Sequence, residues 1–231
     1  MKSQPFFSLD PRLSVCASMI RAGANIVDVG TDHAYLPIYL AKNKLINHAI
    51  ASDLRPRPLL NAKKNIEKYH LSDIIETRLS DGLNEINKDK ADDIIIAGMG
   101  GEVISSIIAG AFWLKDSSKH LILQPMTKDE TLRNFLKSEN YLIEKEIAVI
   151  SSNKVYSVML VKFTKESFSV DNLYSYIGKL SENITPSTIV YISQKIKSLK
   201  QQIYGLNLEE NLSKAKDLTN IVDLLKKLIE V

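Results

Sequence analysis

Five short apolar runs, separated by amphipathic stretches, dictate most of what this chain can become. Ile26-Val27-Asp28-Val29-Gly30 is the first. Residues 48–53, 75–81, 93–98 and 120–125 follow, and 93–98 is the clearest. Runs that are apolar at consecutive positions are what strands buried on both faces require. Between them, residues 34–43, 56–69, 101–110 and 128–138 carry helical patterning. Strand and helix in alternation imply a parallel sheet covered on both faces. Residues 141–151 and 154–163 read as two further strands joined by the turn-like pair Ser152-Asn153. That hairpin brings the last strand in antiparallel. The expected core is a seven-stranded, mostly parallel α/β sheet of Rossmann-like type. A helix precedes it, with Asp10 as N-cap, Pro11 at the first helical position and Gly23 as its stop.

From about Ser167 the strand pattern ends. Ile189, Ile192, Ile196, Leu199, Ile203 and Leu206 step by threes and fours, as do Ala215, Leu218, Val222, Leu225 and Ile229. Two such seams predict a coiled-coil-like helical hairpin, connected near residues 205–209 and preceded by a short helix near 172–180. The chain of 231 residues thus divides into an α/β domain over 1–165 and an all-helical extension over 166–231.

Composition excludes several classes. No stretch has the roughly 18 consecutive apolar residues of a membrane helix, and Met1 to Phe7 lack the apolar core of a signal peptide. Cys16 is the single cysteine, so an intrachain disulfide is impossible and a cysteine-based metal cluster is not expected. These features point to a cytoplasmic protein without a membrane or metal partner. The net charge of +3 is too small to demand nucleic acid by itself.

The chemistry gathers at the carboxyl ends of the strands, where open α/β sheets bind ligands. Gly30 ends the first run and lets a cofactor approach the backbone. Asp53 ends the second, 23 residues beyond Gly30, which suits an acid gripping ribose hydroxyls. Asp81-Gly82 ends the third, where a carboxylate can accept from an adenine amine. A dinucleotide site wants three loop glycines for a pyrophosphate. Here Asp32 and Ala34 stand near the second and third positions, and Asp32 would repel a pyrophosphate. S-adenosylmethionine has no phosphate and carries a sulfonium cation, so neighbouring acids favour it as the cofactor. After the fourth run, Ala97-Gly98-Met99-Gly100-Gly101 replaces the polar-Pro-Pro-aromatic motif of DNA amino-methylating enzymes with a glycine-rich loop open to a planar base.

Three blocks carry a resemblance: Gly30-Thr31-Asp32-His33-Ala34-Tyr35-Leu36-Pro37, Ile96-Ala97-Gly98-Met99-Gly100-Gly101 and Leu123-Gln124-Pro125. In order and sequence they are similar to the signature blocks of the TrmK family, bacterial tRNA methyltransferases acting on N1 of adenine 22. The similarity runs from about Leu13 to Phe163. It implies a class I methyltransferase domain, S-adenosylmethionine as donor, S-adenosylhomocysteine as product, a tRNA substrate and a coiled-coil-like C-terminal extension. Met126 after Gln124-Pro125 is a departure at a variable position.

On this reading the candidate cofactor residues are Asp28, Gly30, Thr31, Asp53, Leu54, Asp81, Gly82, Gly98 and Met99. Asp32 is the candidate catalytic residue, orienting the base, stabilising ring charge and accepting a proton; the competing role is a helix cap. His33, Tyr35, Gly100, Gln124 and Pro125 are expected to meet the target base, with His33 and Tyr35 stacking on an extruded adenine. Arg12, Arg55, Arg57, Lys63 and Lys64 are expected at tRNA phosphates. The chain is expected to act as a monomer. A nicotinamide-dependent oxidoreductase and a non-catalytic RNA-binding protein with a relic cofactor site are the alternatives. The missing glycines oppose the first, and the three strand-end acids oppose the second.

Overall fold

The computed structural model describes residues 8–230; the reading of Met1 to Phe7 as no signal peptide falls outside them. Helix α1 (Pro11–Ser18) starts as its sequence dictates, with Asp10 accepting the Arg12 backbone N–H at 2.9 Å. It ends at Ser18 rather than running to Gly23, which lies in the turn leading to β1.

Strands β1 (Ala24–Val29), β2 (Ile46–Asp53), β3 (Ile75–Leu79), β4 (Asp93–Gly100), β5 (His120–Thr127), β6 (Tyr141–Ser151) and β7 (Lys154–Phe163) form one sheet in the order β3-β2-β1-β4-β5-β7-β6. Pairs from β3 through β5 are parallel, and β7 slots antiparallel between β5 and β6. Successive residues of a strand point to opposite faces. Ile26, Ala49, Ile95 and Ile122 therefore pack with α1, α2 (Tyr35–Lys42) and α3 (Pro56–Lys68). Val27, Ile50, Ile94, Ile96 and Leu123 pack with α4 (Gly101–Gly110) and α5 (Asp129–Ser138) on the other side. Burying each such side chain contributes about 1.5–3 kcal/mol. Chain connections run outward in both directions from β1 and β4, so the strand order reverses there and opens a crevice at their carboxyl ends.

Beyond β7 come a short helix α6 (Tyr174–Ile177), then α7 (Pro186–Leu208) and α8 (Leu212–Ile229). The hairpin packs through Ile192, Ile196, Leu199, Leu218, Val222 and Leu225. Two expectations change. Gly205 lies inside α7, with open space where a Cβ would be, and the turn comes after Leu208. Ile189 is exposed, and Thr188 and Tyr191 are buried instead. The reason is that α7 also packs on the sheet: Ala148 of β6 and Val155 of β7 belong to the hairpin's apolar cluster. The extension is therefore docked on the α/β layer rather than standing free as a coiled coil.

A charged cluster fastens this junction. The Arg133 side chain of α5 is fully buried. Its Nη2 donates to Glu146 Oε1 of β6 at 2.7 Å and to Tyr191 Oη of α7 at 2.8 Å. Its Nη1 reaches the Ser175 and Tyr176 carbonyls of α6. Lys195 of α7 pairs with Asp129 at 3.3 Å and Glu130 at 2.9 Å, both on α5. Burial opposes the Arg133 charge, but Glu146, Tyr191 and Asp129 together hold its pKa well above the ordinary value. Gly178 has φ +51°, and a Cβ there would strike Glu146 and Arg133.

Candidate active site

A cleft of about 490 Å³ opens at the carboxyl ends of β1 to β4. Gly30, Asp53, Leu54, Asp81, Gly82 and Met99 line it. Gly30 forms the floor with φ +78°, and a Cβ there would collide with the end of the Met99 side chain. Its N–H and that of Thr31 both donate to the Ser52 carbonyl at 2.8 Å. Asp53 is nearly buried, and its Oδ1 accepts the Arg55 backbone N–H at 2.8 Å. Asp81 is exposed beyond the end of β3, which stops at Leu79 rather than continuing to Asp81.

The loop after β1 departs from expectation. Asp28 is buried beneath it, facing the cluster that contains Cys16, and does not line the cleft. Thr31 is likewise buried, hydrogen-bonded to Asp28, and its Oγ1 accepts the Ala34 N–H at 3.2 Å. Both therefore support the loop from below and are not part of the cleft wall. Helix α2 begins at Tyr35, after Ala34 in the left-handed region, and has no side-chain cap of its own. Asp32 is thus not a cap. Its side chain is 67% exposed and pairs with His33 Nε2 at 3.1 Å. It stands outside the wall of the cleft rather than within it. The His33 carbonyl is held by Asn65 Nδ2 at 3.0 Å, and the His33 and Tyr35 rings stack 5.1 Å apart.

Burial raises the Asp28 carboxyl to about 6; the Thr31 hydrogen bond opposes this and nearby Asp53 adds to it. A carboxyl protonated more readily when folded loses stability as pH rises from its unfolded value near 4 to about 6. Asp28→Asn removes that loss. Its stability advantage over the parent is expected to grow from near zero at about pH 4 to about 3 kcal/mol above pH 6. Urea unfolding across this range checks it, and an advantage independent of pH would contradict it.

The second half of the site also differs. Gln124 is fully buried, its Oε1 accepting from Arg12 Nη1 at 2.9 Å and the Gly98 N–H at 3.2 Å, its Nε2 donating to the Pro125 carbonyl at 2.7 Å. It braces the glycine loop and has no edge left for a base. Arg12, expected at a tRNA phosphate, is half-buried and turned onto Gln124, Asp10 and the Tyr156 ring. Pro125 is buried and pairs with Met99. Gly98 (φ +79°) and Gly100 are partly open, with nothing within 4 Å of a Cβ at Gly98. Arg55, Arg57, Lys63 and Lys64 are exposed, and Arg55 also borders the cleft. The sequence reading missed Ser80, Glu102, Val103, Ser106 and Ile107, which complete the cleft. Their only signal was position: Ser80 directly precedes Asp81, and the other four lie on the first two turns of α4, beyond the glycine loop.

Residues 9–159 match the model of a methyltransferase domain family. The chain is 32% identical to the tRNA (adenine(22)-N(1))-methyltransferase of Bacillus subtilis, covering 96% of this chain and 97% of that one. It belongs to the TrmK family. Among solved structures, M. capricolum TrmK in complex with S-adenosyl-homocysteine superposes with a TM-score of 0.80 at 30% identity, covering 97% and 98% of the two chains. A Streptococcus pneumoniae relative in complex with S-adenosyl-L-methionine gives 0.79 at 30% identity, over 95% and 98%. The TrmK-family cleft fits this cofactor on its own residues. Gly30 leaves the room a Cβ would fill, Asp53, Asp81 and Glu102 complement a cationic ligand, and Leu54, Val103 and Ile107 offer apolar surface to a purine. Among the described residues no group of three His, Cys, Asp or Glu is placed to hold a metal ion, and no helix is long and apolar enough to cross a membrane.

Proposed function

We propose that this protein transfers a methyl group from S-adenosylmethionine to N1 of adenine 22 in tRNA. The observation that carries this is the end-to-end match to the B. subtilis enzyme, 32% over nearly the whole of both chains. Asp53 would hold the ribose hydroxyls, Asp81 the adenine amine, and Gly30, Leu54, Gly82 and Met99 the body of the cofactor. When bound, the cofactor supplies an electrophilic methyl group on a positively charged sulfur. Asp32 is assigned to face the positive charge of an N1-alkylated ring and to take a proton from it. The paired His33 and Tyr35 rings offer a stacking surface to an extruded adenine, with Gly98 and Gly100 leaving its approach clear. Arg55, Arg57, Lys63 and Lys64 would meet phosphates. The protein would act as a monomer in the cytoplasm.

Incubation with unmodified tRNA and labelled donor, followed by nucleoside mass spectrometry, tests the activity. Labelled 1-methyladenosine is expected; its absence from active, cofactor-binding protein would defeat the proposal. Asp53→Ala is expected to weaken S-adenosylhomocysteine binding about ten- to a hundredfold, the loss of one or two hydrogen bonds to a charged group. Calorimetry measures this, and parental affinity would move Asp53 out of the cofactor site.

A further inference from the structure

A second concavity, of about 210 Å³, lies where α7 crosses the end of the sheet. Pro125 and Thr127 of β5, Tyr156 and Ser157 of β7, and Gln194 and Ser198 of α7 contribute to its walls. Ser157 is 1% exposed, and its Oγ has no hydrogen-bond partner among the described residues. Buried hydroxyls are nearly always paired, so this one marks a place where an outside group completes the wall. The groove also adjoins the cofactor cleft. Met99 lines the cleft and pairs with Pro125, which lines the groove; Gly100 pairs with Thr127 beside it. The paired β4 and β5 backbones lie one strand spacing apart, roughly 4.8 Å.

Size and charge narrow the ligand. The volume is below the usual range for whole cofactors or drug-sized ligands, about 300–1,000 Å³, and suits a single sugar. Lys195 is the one cation in the wall, and Asp129 and Glu130 already neutralise it. A phosphate gains little there. Hydroxyl and amide side chains suit a neutral partner that both donates and accepts, as a ribose 2′-hydroxyl does.

We propose that this groove receives the ribose of a tRNA nucleotide flanking the target adenine, with Ser157 pairing its 2′-hydroxyl. The proposal rests on tRNA being the substrate. It gives α7 a direct part in substrate binding next to the reacting base.

Steady-state kinetics on tRNA, with S-adenosylhomocysteine calorimetry and thermal unfolding, test it. Ser198 is exposed, so Ser198→Trp fills the groove without entering the core. It is expected to raise KM for tRNA by about tenfold or more, with kcat and cofactor affinity unchanged. Ser157→Ala is expected to raise KM about fivefold, the loss of one hydrogen bond, with an unchanged or higher Tm. Full-length tRNA carrying 2′-deoxyribose at the flanking nucleotides should cost the parent the same factor and Ser157→Ala nothing more. Parental KM in both variants overturns the groove while leaving the methyltransferase reading intact. Should Ser198→Trp lower Tm or cofactor affinity, Ser157→Ala and the deoxy substrate decide alone. A parent that binds cofactor but never methylates tRNA removes both readings.

Discussion

Asp32→Ala is expected to lower kcat on tRNA by about 10²–10⁴-fold, the range for a positioned acid–base group, while S-adenosylhomocysteine binds as before. Two features of the loop support this. No side chain caps α2, and Thr31 Oγ1 accepts the Ala34 N–H just before it, so the helix start does not use the Asp32 carboxylate. Asp32 is also outside the cleft wall, with His33 Nε2 at 3.1 Å as its partner, so its loss does not disturb the residues assigned to the cofactor. A structural acid at this exposed position would cost little when removed, because exposed ion pairs contribute only about 0–1 kcal/mol. Single-turnover rates at saturating tRNA, together with calorimetry, distinguish the cases. Parental turnover would take Asp32 out of the chemistry, and lost cofactor affinity would make it part of the cofactor site instead.

Arg133→Met is expected to destabilise the protein by about 3–5 kcal/mol, the cost of stranding a buried charge. The stranded group is Glu146, whose side chain is fully buried and whose remaining hydrogen bond comes from the Lys179 N–H at 3.0 Å. The same substitution frees the Ser175 and Tyr176 carbonyls and removes a donor to Tyr191, so α6 and α7 loosen from α5 together. Guanidinium unfolding measures the loss. Arg133→Met combined with Glu146→Leu should recover much of it, since an apolar pair removes both desolvated charges. A single variant as stable as the parent, or a double variant worse than the single, would contradict this account of the junction.

The sheet was legible because each strand is an apolar run of its own, and β4 is nearly pure isoleucine at its centre. The cleft acids Asp53 and Asp81 were legible for the same reason: they sit where those runs stop. Side-chain direction was not. Asp28, in β1, and Thr31 flank Gly30 in sequence, yet both side chains lie beneath the loop. Gln124 and Arg12 were expected at the substrate, and no sequence pattern announces that, 112 residues apart, they hydrogen-bond to each other. The cluster joining Arg133, Glu146 and Tyr191 is hidden likewise, since only the docking of α7 on the sheet brings it together. Gly205 misled because a glycine within a long helix costs only about 1 kcal/mol, which the hairpin's packing exceeds.

Methylation at N1 blocks the Watson–Crick edge of adenine, so the modified position can be read directly as a stop in primer extension. The account predicts that tRNA incubated with this protein and S-adenosylmethionine gains one strong stop at adenine 22, and that a tRNA with another base there gains none. A stop elsewhere, or methylation that persists when adenine 22 is replaced, would contradict it.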